Sequence, residues 1–263
     1  MKTSFEIIQT IHGNFLINEF DCISYSLKKD EMWEDYMYAF YSQILDSNDI
    51  CIDAGANLGF HSIQFGKLAK HVYSFEPQPM IYNQLCANIL FNDLNDKITP
   101  YRLGLGEKES TKQMWSIKNE FYGINSGEEM YNWGGRGIEH IDATYNSNEV
   151  REEDLIKVIP LDSLNIEQCS LFKIDIQGYE WYAFQGAQKL LENNPIILLE
   201  NNFEAKLDKQ VLNMLLKLGY QCYRFCMNEV EDCILIHPKS DKYNISTKII
   251  KSLPSIYKIK KEF

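Results

Sequence analysis

Short apolar runs bounded by polar residues or glycines recur along the chain. Between them lie stretches in which apolar residues return every third or fourth position. The runs predict buried strands and the stretches predict amphipathic helices. Ile50-Cys51-Ile52 begins a parallel core, followed by strands at His71 to Phe75, Ile98 to Leu103, Cys169 to Asp175 and Ile196 to Glu200. The helices between them span His61 to Ala69, residues 79–95 and Tyr179 to Asn193. A further helix over 206–218, closed by Gly219, precedes two runs, Tyr220 to Phe225 and Asp232 to His237, that predict an antiparallel pair. Ahead of the core, Phe5 to Ile11 and Asn14 to Ile17 flank a His12-Gly13 turn and read as a hairpin. Lys29 to Asp46 reads as one helix with Trp33, Tyr36, Met37, Phe40, Tyr41 and Ile44 on one face. That stripe is read as core, with Trp33 or Tyr36 as an alternative ligand contact. The organisation expected is an N-terminal cap over 1–49, an α/β domain over 50–238 with an insertion at about 109–153, and a tail over 239–263.

The chemistry gathers where the first strand ends. Asp53-x-Gly55-x-x-x-Gly59 follows it, and Gly55 permits a tight turn and close approach of backbone to a ligand. The second strand ends in Glu76, seventeen residues after Gly59. A carboxylate at that tip can accept from both hydroxyls of a ribose. A dinucleotide site would show Gly-x-Gly-x-x-Gly. The leading acid here would repel a pyrophosphate, and it suits a cationic ligand such as the sulfonium and ammonium of S-adenosylmethionine.

These residues belong to an ordered set: Asp53-Ala-Gly-Ala-Asn-Leu-Gly59, Phe75-Glu76-Pro77, Asn88, Lys173-Ile-Asp175-Ile-Gln-Gly178-Tyr-Glu180, and Pro195-Ile-Ile-Leu-Leu-Glu200. The set resembles the FkbM-type S-adenosylmethionine-dependent methyltransferases from about Ile50 to Glu200, and more loosely to about Pro238. The resemblance implies a Rossmann-like, mostly parallel sheet flanked by helices and closed by an antiparallel C-terminal strand. It implies cofactor contacts at Asp53, Gly55, Ala56, Asn57, Gly59, His61, Glu76, Pro77, Gly104 and Asp175, with Leu103 beside the adenine. One position departs: Gln177 stands where the family usually has Glu, which puts a charged role there in question. The activity implied is O-methylation, with a sugar or glycan hydroxyl as the first acceptor. A non-sugar small molecule, an RNA end, or a cofactor-binding subunit without catalysis stand as alternatives.

Methyl transfer to a hydroxyl needs the acceptor oxygen in line with the methyl carbon, and a base or metal to deal with its proton. Asp175, at the carboxyl end of the fourth strand, is the first candidate to orient or deprotonate the acceptor, or else to hold the cofactor's amino group. Lys173 is placed to stabilise an alkoxide or to pair with Glu200, and His140 is the other candidate base. Asp175, Glu200 and Asn201 could together bind Mg²⁺, an arrangement not favoured over a metal-free site. Glu180 is read as stabilising its helix N-terminus. The insertion carries Trp115, Tyr122, Trp133 and Arg136, a set of aromatic planes and a guanidinium suited to a sugar ring. The competing reading is an arm packed on the sheet or on a second subunit.

Composition narrows the rest. The 263 residues carry a net charge of −11, which argues against nonspecific nucleic-acid binding. Lys239 to Phe263 is basic, with seven Lys against Asp241 and Glu262, and reads as a solvated segment or as a dock for an acidic surface. Seven cysteines without a C-x-x-C pair fit a reduced, cytoplasmic protein. The first ten residues lack the apolar run of a signal peptide, and no stretch reaches transmembrane length.

Overall fold

The computed structural model describes residues 4–30, 33–114, 121–125, 128–138, 155–200, 206–225, 232–253 and 256–258. The chain opens with a hairpin of β1 (Phe5–Thr10) and β2 (Gly13–Asn18), then α1 (Cys22–Asp30) and α2 (Asp35–Tyr41). The alternating core follows: β3 (Ile50–Ala54), α3 (Phe60–Leu68), β4 (His71–Phe75), α4 (Pro79–Phe91) and β5 (Ile98–Tyr101). After β6 (Gly104–Leu105) and β7 (Ser110–Gln113) comes a hairpin of β8 (Phe121–Asn125) and β9 (Glu128–Tyr131), then β10 (Leu155–Ile159). The core resumes with β11 (Leu171–Ile174), α5 (Glu180–Gln185), α6 (Gln188–Leu191), β12 (Ile196–Glu200) and α7 (Lys206–Leu218). It ends with β13 (Gln221–Phe225), β14 (Asp232–Ile236), α8 (Tyr243–Ser252) and β15 (Ile256–Lys258).

Among the described residues the main sheet has eight strands in the order β15-β13-β14-β12-β11-β3-β4-β5. The five from β12 to β5 run parallel, and β14, β13 and β15 add antiparallel pairings at the far side. This is the Rossmann-like methyltransferase sheet that the resemblance implies. The period of two sorts side chains to opposite faces. Ile196 and Leu198 of β12 join a core with α2, α3, α4 and α8, whereas Ile197 and Leu199 join one with α5, α6 and α7. Both faces are covered, which is why the central strands read as unbroken apolar runs.

Three elements differ from the sequence expectation. The single helix over Lys29 to Asp46 is instead α1 and α2, broken at Glu34, whose backbone is left-handed (φ 50°, ψ 48°). The helix over Tyr179 to Asn193 divides into α5 and α6 at Gly186, where a Cβ would meet the Gly106 carbonyl oxygen at 2.0 Å. The basic segment supplies α8 and the edge strand β15, and its Lys242 pairs with Asp46 and, at 2.9 Å, with Asp49. No helix among the described residues is long and apolar enough to cross a membrane.

Candidate active site

A cavity of about 210 Å³ opens over the carboxyl ends of β3, β4 and β11, where open parallel sheets collect their ligands. The turn after β3 forms its floor. Gly55 has φ 77°, and a Cβ there would lie 1.8 Å from the Asp175 carbonyl oxygen, so the position demands glycine twice over. The Gly55 and Ala56 amides donate to the Phe75 carbonyl at 3.0 and 2.9 Å, which ties this turn to the end of β4.

Glu76, at that end, lines the cavity and is buried. The Asn57 amide donates to its Oε2 at 3.1 Å and the Gln78 amide to its Oε1 at 2.8 Å. Each carboxylate oxygen therefore keeps acceptor capacity for a ligand. Burial raises its carboxyl to about 7, against the pull of those two amides. Pro77, Leu103 and Gly104 line the same side, and Ala56, Asn57 and His61 continue the wall from β3 into α3. Gly59 sits behind the wall, packing α3 on Leu85 of α4.

Asp53 is placed differently from its expected role. Its side chain is fully buried and does not line the cavity. Ser62 Oγ donates to its Oδ2 at 2.5 Å, and Lys173 Nζ lies 3.7 Å from its Oδ1. Period-two alternation turns Asp53 toward α3, so it anchors the floor from below rather than meeting a ligand. Lys173 spans the two levels: it lines the cavity and also lies 3.9 Å from Asp175 Oδ2. Burial disfavours its charge, but Asp53, Asp175 and Glu34 outweigh burial and raise it above an ordinary lysine. Its ion-pair partners are Asp53 and Asp175, not Glu200.

The far end of the cavity is acidic. Gln177 donates from Nε2 to Asp175 Oδ1 at 2.6 Å and to Glu200 Oε2 at 3.0 Å. Asp175 stays ionised: burial opposes this, but Lys173 and hydrogen bonds from Glu200 and Gln177 hold it below the usual range. The neighbouring Asp175 charge, then burial, push Glu200 up to about 11, so Glu200 keeps a proton at neutral pH. Asp175, Glu180 and Glu200 lie close enough to share an ion. Glu180 Oε1 also accepts from the Ile176 amide at 2.8 Å, and Gln177 bridges the other two carboxyls. Each of the three carboxyls thus has a protein partner and keeps further acceptor capacity. Asn201 lies outside the described residues.

The expected substrate residues separate. Trp133 turns away from the cavity to pack with Ile81, Met80 and Tyr131, so its ring supports the loop above the site and offers no platform inside it. Its amide donates to Asp21 Oδ1 at 3.2 Å and its carbonyl accepts from Gln78 Nε2 at 2.9 Å. Arg136 does line the cavity, donating from Nη1 to Gln78 Oε1 at 3.2 Å. Tyr122 falls in β8, where the backbone alone is described, and Trp115 and His140 lie outside the described residues. The sequence reading missed Glu34, Cys22, Ile23, Gln78, Met114 and Ile138, all of which line the cavity with Trp33. Helical spacing over Lys29 to Asp46 hides Glu34; the polar cluster around Asp30 is the signal of a break.

Comparison with known proteins places this geometry. The FkbM methyltransferase domain matches residues 53–222. Methyltransferase sdnD of Sordaria araneosa is 23% identical over 184 residues, covering 60% of this chain and 67% of that protein. The crystal structure of methyltransferase FkbM from Methylobacillus flagellatus KT has a similar fold, with a TM-score of 0.50 and 20% identity over 73% of this chain. The match spans 44% of that solved chain. The domain match covers most of the sequence and includes the glycine turn, Glu76 and Asp175, and the chain therefore belongs to the FkbM methyltransferase family.

Proposed function

We propose that the protein transfers the methyl group of S-adenosylmethionine to a hydroxyl, and that the acceptor is a sugar or a glycan. The observation that carries the cofactor reading is Glu76. Its carboxylate faces the cavity beside the glycine turn, each oxygen fixed by one backbone amide and each able to take a ribose hydroxyl. Leu103 and Gly104 then lie on the adenine side, and ionised Asp175 suits the ammonium of the methionine portion. The cofactor supplies an electrophilic methyl carbon on sulfur. The chain contributes position: a floor fixed by the glycine turn and an acid at each end.

Support for a sugar comes from the plane of Trp33 and the polar groups of Asn132 and Arg136 around the same cavity. A second reading, a non-sugar small molecule, is favoured by Ile23, Met114 and Ile138, which make part of the lining apolar. The test is transfer from labelled S-adenosylmethionine to monosaccharides, oligosaccharides, phenolic and aliphatic alcohols and capped RNA, with and without EDTA. Label in one sugar that survives EDTA supports the reading. Transfer only to non-sugar alcohols selects the second, and loss with EDTA assigns a cation to Asp175, Glu180 and Glu200.

A further inference from the structure

Glu34 lies outside the family match and was not among the residues expected at the site. It sits where α1 gives way to α2, in a left-handed conformation that side chains with a Cβ rarely adopt. Glu34 stands at the N-cap of α2, and its side chain makes no capping bond there. Its side chain turns inward to the cavity, largely buried, and Oε2 lies 2.9 Å from His61 Nε2. From His61 the contacts continue in a row: Nδ1 to the Tyr41 hydroxyl at 3.2 Å, and that hydroxyl to Gln64 Oε1. Tyr41, His61 and Gln64 are all buried.

The hydrogens in this row can be counted. Burial, aided by Lys173, lowers His61 to about 3, so its ring is neutral and carries one N–H. Tyr41 carries one O–H. Three contacts need three hydrogens, and the two rings supply two. With Gln64 accepting, Tyr41 donates to it, His61 donates from Nδ1 to Tyr41, and the third hydrogen sits on Glu34. If Glu34 loses that proton, the row re-forms the other way. His61 donates from Nε2 to the carboxylate, Tyr41 donates to Nδ1, and the Gln64 amide turns to donate to Tyr41. That turn breaks no bond, because Gln64 Nε2 is buried without a partner. The row thus keeps its three contacts in both states, with the outer atom of the Gln64 amide unpartnered in each.

We propose that Glu34 is the general base that takes the proton of the acceptor hydroxyl, and that His61, Tyr41 and Gln64 position it in both protonation states. This rests on the hydroxyl-acceptor reading above. As the hydroxyl oxygen bonds to the methyl carbon, the carbon–sulfur bond breaks with its electron pair kept on sulfur, and the hydroxyl proton passes to Glu34. The proton then leaves to solvent, restoring the carboxylate. The groups around Glu34 fit this use. Burial raises it to about 7, with Lys173 and a hydrogen bond from the Trp33 side chain pulling down and Asp175 and Asp53 pushing up. Asp232 on β14 also faces it, hydrogen-bonded by Tyr36 of α2 at 2.5 Å. The other cavity carboxyls suit the task less: Asp175 is held ionised by Lys173, Glu200 holds its proton, and Glu76 is tied to the Asn57 and Gln78 amides at the proposed ribose position.

The test reads the row directly. In the cofactor-free full chain labelled with ¹⁵N at histidine, His61 should change tautomer from Nδ1–H to Nε2–H as pH rises from about 5 to about 9. Glu34→Gln should abolish that pH dependence. With an accepted hydroxyl substrate, Glu34→Gln should lower kcat by about 10²–10⁴-fold and remove the acid limb of its pH profile, and Glu34→Asp should recover part of the rate. S-adenosylhomocysteine should bind Glu34→Gln within about threefold of wild type, which shows the variant folded and separates base from cofactor ligand. A single His61 tautomer across the range overturns the proposal whatever the acceptor proves to be, as does a Glu34→Gln kcat within about threefold of wild type. Failure of every hydroxyl acceptor in the transfer panel strikes the proposed function instead, and the tautomer titration reads independently of it.

Discussion

Lys173→Met tests the electrostatic foundation of the site. Lys173 is almost wholly buried, 3.7 Å from Asp53 Oδ1 and 3.9 Å from Asp175 Oδ2. At an effective dielectric of about 20, one pair of unit charges about 4 Å apart interacts by about 4 kcal/mol. Removing one partner of such a buried group leaves the others unpaired, at a cost of about 3–5 kcal/mol. Methionine fills most of the space, so little of the loss comes from a cavity. For a chain of this length the melting temperature should fall on the order of 10 °C. The loss should depend on pH. In the wild type Lys173 holds the Asp175 carboxyl down, so that stabilisation is present above the unfolded value near 3.9 and fades as pH falls through the folded one. Without Lys173 the Asp175 carboxyl loses that pull and takes a proton more readily in the folded state. The deficit should therefore be full at about pH 8 and shrink toward about pH 5. Urea unfolding of the cofactor-free protein at several pH values measures it, and Lys173→Met with Asp53→Asn should recover part of the loss. A deficit below about 1 kcal/mol that does not vary with pH would mean that water solvates these groups, and would refute the reasoning.

Asp53→Asn alone should lower stability while leaving cofactor affinity within about tenfold, because Asp53 pairs with Lys173 and Ser62 beneath the floor; loss of all binding without loss of stability would restore its expected contact with the ligand. Gly55→Ala should abolish binding of S-adenosylhomocysteine by calorimetry, since its Cβ would meet the Asp175 carbonyl oxygen at 1.8 Å with φ at 77°; wild-type affinity would mean the turn can shift. Trp133→Ala should cost about 3–5 kcal/mol in urea unfolding, as for a buried aromatic removed from a packed cluster; an unchanged stability with a raised KM for the acceptor would return the ring to the substrate side.

The parallel core was legible because both faces of β3, β11 and β12 are covered, which forces apolar runs that end abruptly in chemistry-bearing residues. Asp175 and Glu76 follow from their place at strand ends, where side chains meet an open edge. Asp53 shows the limit of that rule. It lies one residue short of the end of β3, and alternation directs it under the sheet to Lys173. Glu34 was hidden for a different reason. Helical spacing continues across it, and a left-handed break at a residue other than glycine leaves little trace in a pattern of apolar positions. Trp133 carries the composition of a sugar platform, but which way its ring turns depends on Ile81 and Met80, more than fifty residues earlier in the chain.

The most direct test of the account is a calorimetric titration of the wild type and Glu76→Ala with S-adenosylhomocysteine. Two hydrogen bonds to a charged acceptor, each contributing about 1.5–3 kcal/mol, would be lost with the carboxylate. The account predicts saturable one-to-one binding to the wild type and at least about a hundredfold weaker binding to the variant, with both proteins folded. Equal affinity for the two, or no binding to the wild type, would contradict the assignment of this cavity to the cofactor.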